Sequence, residues 1–340
     1  CHTEHVLVIP AQDESISLLE GIQPALDTVS EQGQRALCII VVNATDTHDS
    51  LVQKRNTELI HALRDHGPTV PLHTQNETPC WHTRASGFDL VVVDRNSTGF
   101  RLPSNQGVGL ARKIGCDLAL TALRDGTNRS PLIHMTDCDV RLPSDYFDVA
   151  VPAACAALIY RFSHKSSGHS LIDDAHAKYE AFLRYYVLGL QHAGSPYAFH
   201  TIGSCIAVTP TAYAAVRGVP KRQAGEDFYL LNKLAKVGQL HTANSSPVTI
   251  QARTSLRVPF GTGQATNEIV RNSDTYKIYD PTIFDLIKTW CNSLEAINGT
   301  RVNAAYETVR CRAESVLDSV DQQRLRTALE AIGAPAAIMT

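Results

Sequence analysis

The sequence lacks long apolar runs and carries little net charge. Its longest apolar segment, residues 149–160, contains Pro152 and is shorter than the roughly 18 residues that a membrane-spanning helix requires. The 340 residues have a formal net charge of −3, which gives no basic field to attract nucleic acid or an anionic membrane. We therefore expect no membrane span and no nucleic-acid partner.

Paired cysteine motifs are also absent from the sequence. The nine cysteines include no C-x-x-C pair, so neither a zinc site nor a disulfide framework is indicated. An odd number of cysteines without a pairing pattern is typical of reduced thiols, and we expect a cytoplasmic protein. Apolar residues make up 44% of the chain and charged residues 19%, which is ordinary for a globular protein with a buried core.

Short segments rich in valine and isoleucine alternate with amphipathic segments in the first part of the chain. The short segments predict buried strands, and the amphipathic segments predict helices. Their alternation predicts an α/β fold with a doubly wound, mostly parallel sheet that helices cover on both faces. The predicted strands are residues 5–10, 37–42, 89–94 and 132–137, and the predicted helices are residues 16–26, 49–64 and 105–123.

The pattern changes twice along the chain. Residues 66–87 show no period, which favours a functional flap or a disordered insert. Further on, the sequence predicts strands at residues 157–162 and 200–208 and helices at residues 173–192 and 228–237. Amphipathic helices follow from Pro281 onward.

Two aspartates, one residue apart, follow the fourth predicted strand. Because alternate residues of a strand point to the same side, Asp137 and Asp139 are placed to meet one cation. Mg²⁺ and Mn²⁺ prefer such oxygen ligands and bridge to substrate phosphates. A polar loop that caps the next helix is the alternative. Ligands of a parallel sheet bind beyond the carboxyl ends of its strands, where residues 10–14 and 43–46 are also expected.

Six short motifs occur in order along the chain. They are V-I-P-A-Q-D-E at 8–14, V-V-N-A-T-D at 41–46, N-Q-G-V-G-L-A-R at 105–112, D-C-D at 137–139, G-S-C-I-A at 203–207 and G-E-D at 225–227. Together they resemble the motifs of the family 2 glycosyltransferases of GT-A fold, and the similarity extends over about residues 5–265. Residues 253–263 do not match the Q-x-x-R-W motif of processive polysaccharide synthases, so we expect a non-processive enzyme.

The resemblance implies transfer of a sugar from a UDP- or GDP-linked donor to a hydroxyl group, with inversion at the sugar carbon. The acceptor is expected to be a small molecule or a glycan. A divalent ion, Mn²⁺ or Mg²⁺, would neutralise the charge of the leaving diphosphate. Asp139 is expected to be its first ligand and Asp137 its second, with His241 or His200 as a further ligand.

The resemblance also implies a set of donor-binding residues. Glu14 and Asp46 are expected to line the uridine or guanosine pocket, and helix capping is the alternative for both. Asn43 stands where the family usually has a uracil-binding aspartate, which leaves the base open. Arg112 is expected to pair with the D-x-D carboxylates or to reach a phosphate, with a surface ion pair as the alternative. The other expected donor-binding residues are Pro10, Ala11, Asn105, Asp137, Arg253 and Arg257.

The G-E-D motif is expected to supply the catalytic base. The resemblance favours Asp227 as the base that takes the proton of the acceptor hydroxyl, and Glu226 as a contact to acceptor or sugar hydroxyls. Helix capping is the alternative for Asp227. Gly203 and Ser204 are expected to bind the acceptor.

The expected organisation follows from this resemblance. Residues 1–141 form the donor-binding half of the GT-A domain, residues 142–265 form the acceptor-binding half, and residues 266–340 form a helical extension that could mediate homo-oligomerisation. Two other functions use the same kind of fold. One is a sugar nucleotidyltransferase, and the other is a nucleotide-sugar-binding protein without catalysis. A nucleotidyltransferase would carry a basic glycine-rich loop after its first strand, whereas residues 11–14 are acidic.

Overall fold

The protein is a mixed α/β structure with strands and helices in alternation. The structure, a computed structural model, describes residues 2–74, 77–251, 262–271 and 276–296, together with residues 311 and 315. In chain order, the elements are β1 (His5–Ala11), α1 (Leu18–Glu31), β2 (Ala36–Asn43), α2 (Ser50–Arg64), β3 (Thr69–Pro71), β4 (Cys80–Arg84), β5 (Phe88–Arg95), α3 (Gly107–Arg124), β6 (Ile133–Met135), β7 (Val140–Arg141), β8 (Cys155–Ile159), β9 (Phe162–Lys165), α4 (Ser170–His192), β10 (Ile206–Val208), α5 (Pro210–Ala215), α6 (Glu226–Leu234), β11 (Gln239–Thr242), β12 (Val248–Gln251), α7 (Thr262–Arg271) and α8 (Pro281–Ala296).

Within the described part of the chain, nine strands form one large sheet in the order β11-β8-β10-β6-β1-β2-β5-β4-β3. The central strands β6, β1, β2 and β5 are mutually parallel, while β10 and β4 pair antiparallel with their neighbours. The residues of β2 are buried along its whole length, which explains its continuous apolar sequence. The predicted α/β fold, with a large and mostly parallel sheet flanked by helices, is confirmed.

Helices cover the two faces of this sheet. Gly115 of α3 lies against β1 and β2, because a Cβ atom there would be 2.4 Å from Cγ1 of Val8 and 3.3 Å from Cγ2 of Val41. On β4, Trp81 stacks with Arg64 of α2, whose guanidinium carbon lies 4.4 Å from the ring centroid. The register places Val41 and Trp81 on opposite faces of the sheet, so α3 and α2 cover different faces.

A second, smaller sheet has the order β7-β12-β9. The predicted strand at 157–162 is divided between the two sheets, since β8 ends at Ile159 and β9 begins at Phe162. The backbone N–H of Gln251, at the end of β12, donates to the carbonyl of Asp139 over 2.8 Å. The small sheet therefore borders the D-x-D motif.

Residues 66–87 contain two strands that the sequence analysis missed, and the functional flap stays a hypothesis. Part of this segment extends the large sheet, with β3 and β4 as an antiparallel pair whose register is Val70 opposite His82. These strands are three and five residues long, and such short strands leave almost no period in a sequence. The expectation of a disordered insert is wrong for the described part of the segment.

The chain divides into two compact units. The first unit contains Cys1–Ala177 and Thr201–Ser273, and the second contains Lys178–His200 and Asp274–Thr340. In the second unit, the rings of Phe182 and Tyr279 lie 5.8 Å apart, so the aromatic stripe of α4 packs inside that unit. The predicted division at residues 141 and 265 concerns ligand binding and stays a prediction. Among the described residues, no helix is long and apolar enough to cross a membrane.

Candidate active site

The D-x-D motif lies at the carboxyl edge of the large sheet. Strand β6 ends at Met135, opposite Val8 of β1, and the N–H of Thr136 continues the pairing with a 3.0 Å bond to the carbonyl of Val8. The thiol of Cys138 donates to the carbonyl of Pro10 over 3.4 Å. Asp137 and Asp139 flank this cysteine, and both side chains are half-buried. The motif is therefore fixed beside the end of β1, where a ligand of a parallel sheet is expected.

Arg112 connects three separate segments behind this edge. Its side chain is 2% exposed, and its Nη2 donates to Oδ1 of Asp137 over 2.8 Å. Its Nε donates to Oε1 of Glu226 over 3.2 Å, and its Nη1 donates to the carbonyl of Gly203 over 3.0 Å. Burial disfavours the guanidinium charge, but the nearby carboxylates outweigh burial, so the pKa of Arg112 lies above its ordinary value. Of the two expected partners, carboxylates or a phosphate, the structure shows carboxylates.

Glu226 and Asp227 occupy the first turn of α6. Gly225 precedes them with φ of +70°, a left-handed conformation that glycine adopts without strain. Glu226 is 4% exposed, and burial raises its pKa although Arg112 opposes the shift. Glu226 faces Arg112, and the expected contact of its carboxylate with acceptor or sugar hydroxyls stays a prediction.

Asp227 has a different environment from its neighbour. Burial and the charge of Glu226 raise the pKa of Asp227 to about 7, although the N–H of Phe228 donates to its Oδ1 over 2.7 Å. A carboxylate with a pKa near the working pH is suited to accept and release a proton. In the G-E-D motif, Glu226 is therefore the buried ion-pair partner of Arg112, and Asp227 is the group that titrates near neutral pH.

Gly203 and Ser204 lie against the same constellation. A Cβ atom at Gly203 would be 2.8 Å from Nη2 of Arg112 and 3.5 Å from Oδ2 of Asp227. The hydroxyl of Thr136 donates to the carbonyl of Ser204 over 3.0 Å. Glycine at 203 therefore lets the backbone approach the guanidinium group closely, and this segment separates Arg112 from open space beside Asp227.

Gly203→Ala is expected to displace the Arg112 side chain. The added methyl group overlaps the guanidinium, so we expect a loss of about 1–3 kcal/mol in the free energy of unfolding. A displaced Arg112 would misalign the groups that react, so we expect kcat to fall about 100-fold. Thermal melts and turnover measurements check both effects.

Gly33→Ala is the matched control for this change. Gly33 has φ of +71° with open space around it, so alanine costs about 1–2 kcal/mol of backbone strain there and touches nothing else. We expect its kcat to stay at the wild-type value. Unchanged turnover in Gly203→Ala would contradict the role given to the close packing at Gly203.

The loops after β1 and β2 are tied together by residues that the sequence analysis missed. Asn56 of α2 is fully buried, and its Oδ1 accepts from the N–H of Asp13 over 2.8 Å. Its Nδ2 donates to the carbonyl of Asn43 over 2.9 Å. Asp13 has φ of +56° and forms an ion pair with Arg55 over 2.8 Å. A polar residue on the apolar face of α2, in step with Leu59, was the sequence signal for this link.

The expected donor residues divide into buried and exposed groups. Pro10 and Ala11 are buried at the end of β1. The Nδ2 group of Asn43 donates to the carbonyls of Ala11 and Val41, which uses both amide hydrogens inside the protein. Glu14 is half-buried in the next loop.

Asp46 and Asn105 are the exposed members of the expected donor set. The side chain of Asp46 is 84% exposed and lies 3.3 Å from Nη1 of Arg101. Asn105 is exposed in the turn before α3, which begins at Gly107, two residues later than predicted. Arg253 and Arg257 lie outside the described residues.

His241 does not lie next to the two aspartates of the D-x-D motif. It lies on β11, which β8 and β10 separate from β6, a span of three strand spacings or about 14 Å. Within the described residues, no group of three or more histidine, cysteine, aspartate or glutamate side chains could hold a metal ion. His200, the other expected ligand, belongs to the second compact unit.

The two aspartates nevertheless fit one mode of metal binding. Mg²⁺ is commonly held by one or two carboxylates, with its remaining positions filled by water and substrate phosphates. Asp137 shares one oxygen with Arg112 and is 36% exposed, and Asp139 is half-buried. This donor set suits a divalent ion that completes its coordination with a diphosphate, and it does not form a closed protein cage.

Comparisons with known proteins give little beyond the fold. The sequence matches no protein-family model and no curated protein. One similar solved structure is the crystal structure of glucosyl-3-phosphoglycerate synthase from Mycobacterium tuberculosis in complex with Mn²⁺, uridine diphosphate and phosphoglyceric acid. Its TM-score is 0.35 at 12% identity, covering 79% of this chain and 75% of that chain. Another is the crystal structure of a mycobacterial protein, with a TM-score of 0.33 at 12% identity, covering 93% of this chain and 76% of that chain. TM-scores this low carry no argument about function.

Proposed function

We propose that the protein is a metal-dependent glycosyltransferase. It moves a sugar from a UDP- or GDP-linked donor to the hydroxyl of a small-molecule or glycan acceptor, with inversion at the sugar carbon. The observation that carries this proposal is the pair of ion pairs made by Arg112 at the carboxyl edge of the sheet. They join Asp137 of the D-x-D motif to Glu226, the neighbour of Asp227. The order of the six sequence motifs, which resemble family 2 glycosyltransferases, supports the same function.

The D-x-D aspartates are proposed to bind the donor diphosphate through a divalent ion, Mn²⁺ or Mg²⁺. When bound, such an ion neutralises the charge that develops on the leaving diphosphate. Arg112 fixes the direction of the Asp137 carboxylate, because one oxygen of that carboxylate accepts a charged hydrogen bond from Nη2 of Arg112. Asp139, which is half-buried beside it, is proposed as the principal ligand.

The nucleotide base is proposed to lie beyond the ends of β1 and β2. With both Nδ2 hydrogens bonded to backbone carbonyls, Asn43 can offer only its carbonyl oxygen to a ligand. That oxygen can accept from the N3–H of uracil or from the N1–H of guanine. Pro10, Ala11 and Glu14 border this position, whereas Asp46 and Asn105 are proposed to contact the donor from the exposed side.

The acceptor is proposed to bind next to Asp227. Its hydroxyl becomes nucleophilic as its proton is removed during bond formation, and Asp227 takes that proton. Glu226 pairs with Arg112, and its charge helps to raise the pKa of Asp227. Gly203 and Ser204 form the adjoining backbone, so they are proposed to border the acceptor.

Calorimetric titration of UDP and GDP, with and without Mn²⁺, tests this function. We expect Mn²⁺ to tighten binding of one nucleotide at least about tenfold, which corresponds to about 1.4 kcal/mol. The gain should disappear in Asp139→Asn, which keeps the side-chain shape but removes the charge that binds the ion.

Asp125→Asn is the matched control, since Asp125 lies on the surface beside Arg124. It should bind nucleotide and metal as the wild type does. Nucleotide affinity that is equal with and without Mn²⁺, in both wild type and Asp139→Asn, would contradict the proposed metal role.

A further inference from the structure

A cavity of about 540 Å³ lies far from the D-x-D motif, on the face of the large sheet that α3 covers. Its floor is formed by Leu37 and Ile39 of β2 and by Val91 of β5, and Leu118 of α3 forms one wall. His82 of β4 lines the cavity next to Val91. This volume is within the roughly 300–1,000 Å³ of small-molecule sites in proteins.

The strand order explains why the cavity exists. Helix α3 packs against β1, β2 and β6, and its Leu118 forms one wall of the cavity. Strands β5 and β4 extend the sheet beyond this helix, and α2 covers them on the opposite face, where Trp81 stacks with Arg64. The α3 face of β5 and β4 is therefore left partly open, and the segment around Leu72 closes its far side.

The cavity is separate from the proposed active site. Ile39 precedes Asn43 by four residues on β2, and Leu37 precedes it by six, so these floor residues lie about 13–20 Å from the carboxyl edge. On α3, Leu118 is in the C-terminal half, whereas Arg112 is in the N-terminal half. A ligand in the cavity would not overlap the donor position.

The polar groups of the cavity give it a definite character. Asp89 is buried, and both of its oxygens accept from Arg35, over 3.1 and 3.2 Å. Nε2 of His82 lies 3.3 Å from Oδ1 of Asp89. Asp125, at the mouth, pairs with Arg124 over 2.9 Å. The acidic groups are thus compensated, and Arg84, which also lines the cavity, has an interaction of its own. Compensated charges favour an uncharged occupant over an ion.

The pairing with Asp89 also defines what His82 presents to a ligand. A carboxylate can only accept, so Asp89, 3.3 Å away, favours the ring form of His82 that carries its hydrogen on Nε2. In the neutral ring, Nδ1 then has a lone pair and accepts hydrogen bonds. His82 is half-exposed and lines the cavity next to the apolar floor, so this acceptor is available to a ligand there.

We propose that this cavity is a second binding site, specific for an uncharged ring compound that carries one hydroxyl or N–H donor. The ring packs against Leu37, Ile39, Val91 and Leu118, and its donor bonds to Nδ1 of His82. The site is independent of the proposed transferase activity, so failure of either leaves the other standing.

Two probes that differ only in the donor test this site at pH 8, namely 2-naphthol and 2-methoxynaphthalene. In titrations followed by calorimetry, we expect one 2-naphthol per chain, bound about fivefold more tightly than 2-methoxynaphthalene, the usual scale of one hydrogen bond. In His82→Phe, the two probes should bind equally. His61→Phe, on exposed α2, is the matched control and should keep the fivefold preference.

A second variant tests the location of the bound probe. Thr121 is exposed at the mouth of the cavity, so Thr121→Trp should fill the entrance without disturbing the core and should abolish binding of both probes. If its melting temperature falls, Leu118→Trp serves instead. Saturating UDP and Mn²⁺ should leave 2-naphthol binding unchanged. Absence of binding to the wild type, a donor preference that persists in His82→Phe, or unchanged binding in a folded tryptophan variant would each overturn the proposal.

Discussion

Asp227→Asn is expected to lower kcat at least about 100-fold, the usual scale for loss of a general base. Asparagine keeps the shape of the side chain and its ability to accept from the N–H of Phe228, but it cannot take a proton. Donor affinity should change little, because the metal-binding aspartates are untouched. Steady-state turnover with the true acceptor and calorimetry with the nucleotide measure these two effects.

The pH dependence provides a second readout of the same residue. With the pKa of Asp227 raised to about 7, the wild-type kcat should rise about tenfold per pH unit below pH 7 and level off above it. The folded protein keeps this carboxyl group protonated in a range where the unfolded chain has it ionised. Asp227 therefore lowers stability as the pH rises from about 4 to 7, and Asp227→Asn removes this loss.

Asp148→Asn is the control for the base, because Asp148 is an exposed aspartate outside the constellation. It should retain the wild-type pH profile and turnover. Near-normal kcat in Asp227→Asn, or an inflection near pH 7 that persists in it, would move the base elsewhere or indicate a mechanism without one.

Arg112→Met is expected to lower the free energy of unfolding by about 3–5 kcal/mol at pH 7. Methionine fills much of the same volume, so the cost comes from the buried Glu226 carboxylate, which loses its charged partner. Activity should fall as well, since Asp137 loses its orienting bond. Urea denaturation measures the stability change.

Two further variants separate charge from packing at Arg112. Lys113→Met removes the neighbouring, partly exposed pair with Asp117 and should cost about 0–1 kcal/mol. Adding Glu226→Gln to Arg112→Met should recover part of the loss, because the uncompensated charge is then absent. A loss below about 1 kcal/mol in Arg112→Met, with no recovery in the double variant, would mean that the buried ion pair does not stabilise this edge.

The parallel sheet could be predicted because its strands are buried on both faces. Such strands have continuous apolar sequences, as β1, β2 and β5 do, and their polar C-terminal neighbours must then meet at one edge. Short edge strands leave no comparable pattern, so β3 and β4 were missed. The strand order is also not encoded locally, which is why His241 could be assigned to a metal site that β8 and β10 separate from it.

The partners of Arg112 could be predicted only in part. The sequence suggested a D-x-D carboxylate, but the bond to Glu226 depends on where α6 begins. The predicted helix starts at Phe228, whereas the structure starts it at Glu226. This difference of two residues turns Glu226 toward the interior and leaves Asp227 as the titrating member of the motif. Helix ends depend on tertiary contacts, so their positions are the least certain part of a sequence pattern.

The most direct test of the proposed function is nucleotide release from a panel of UDP- and GDP-sugars in the presence of Mn²⁺. The account predicts that at least one donor is consumed with release of a nucleoside diphosphate, by slow hydrolysis alone and faster with the acceptor. Asp137→Asn should abolish this release, and the surface variant Asp125→Asn should retain it. No turnover of any nucleotide sugar, or formation of nucleotide sugars from a nucleoside triphosphate and a sugar phosphate, would contradict it.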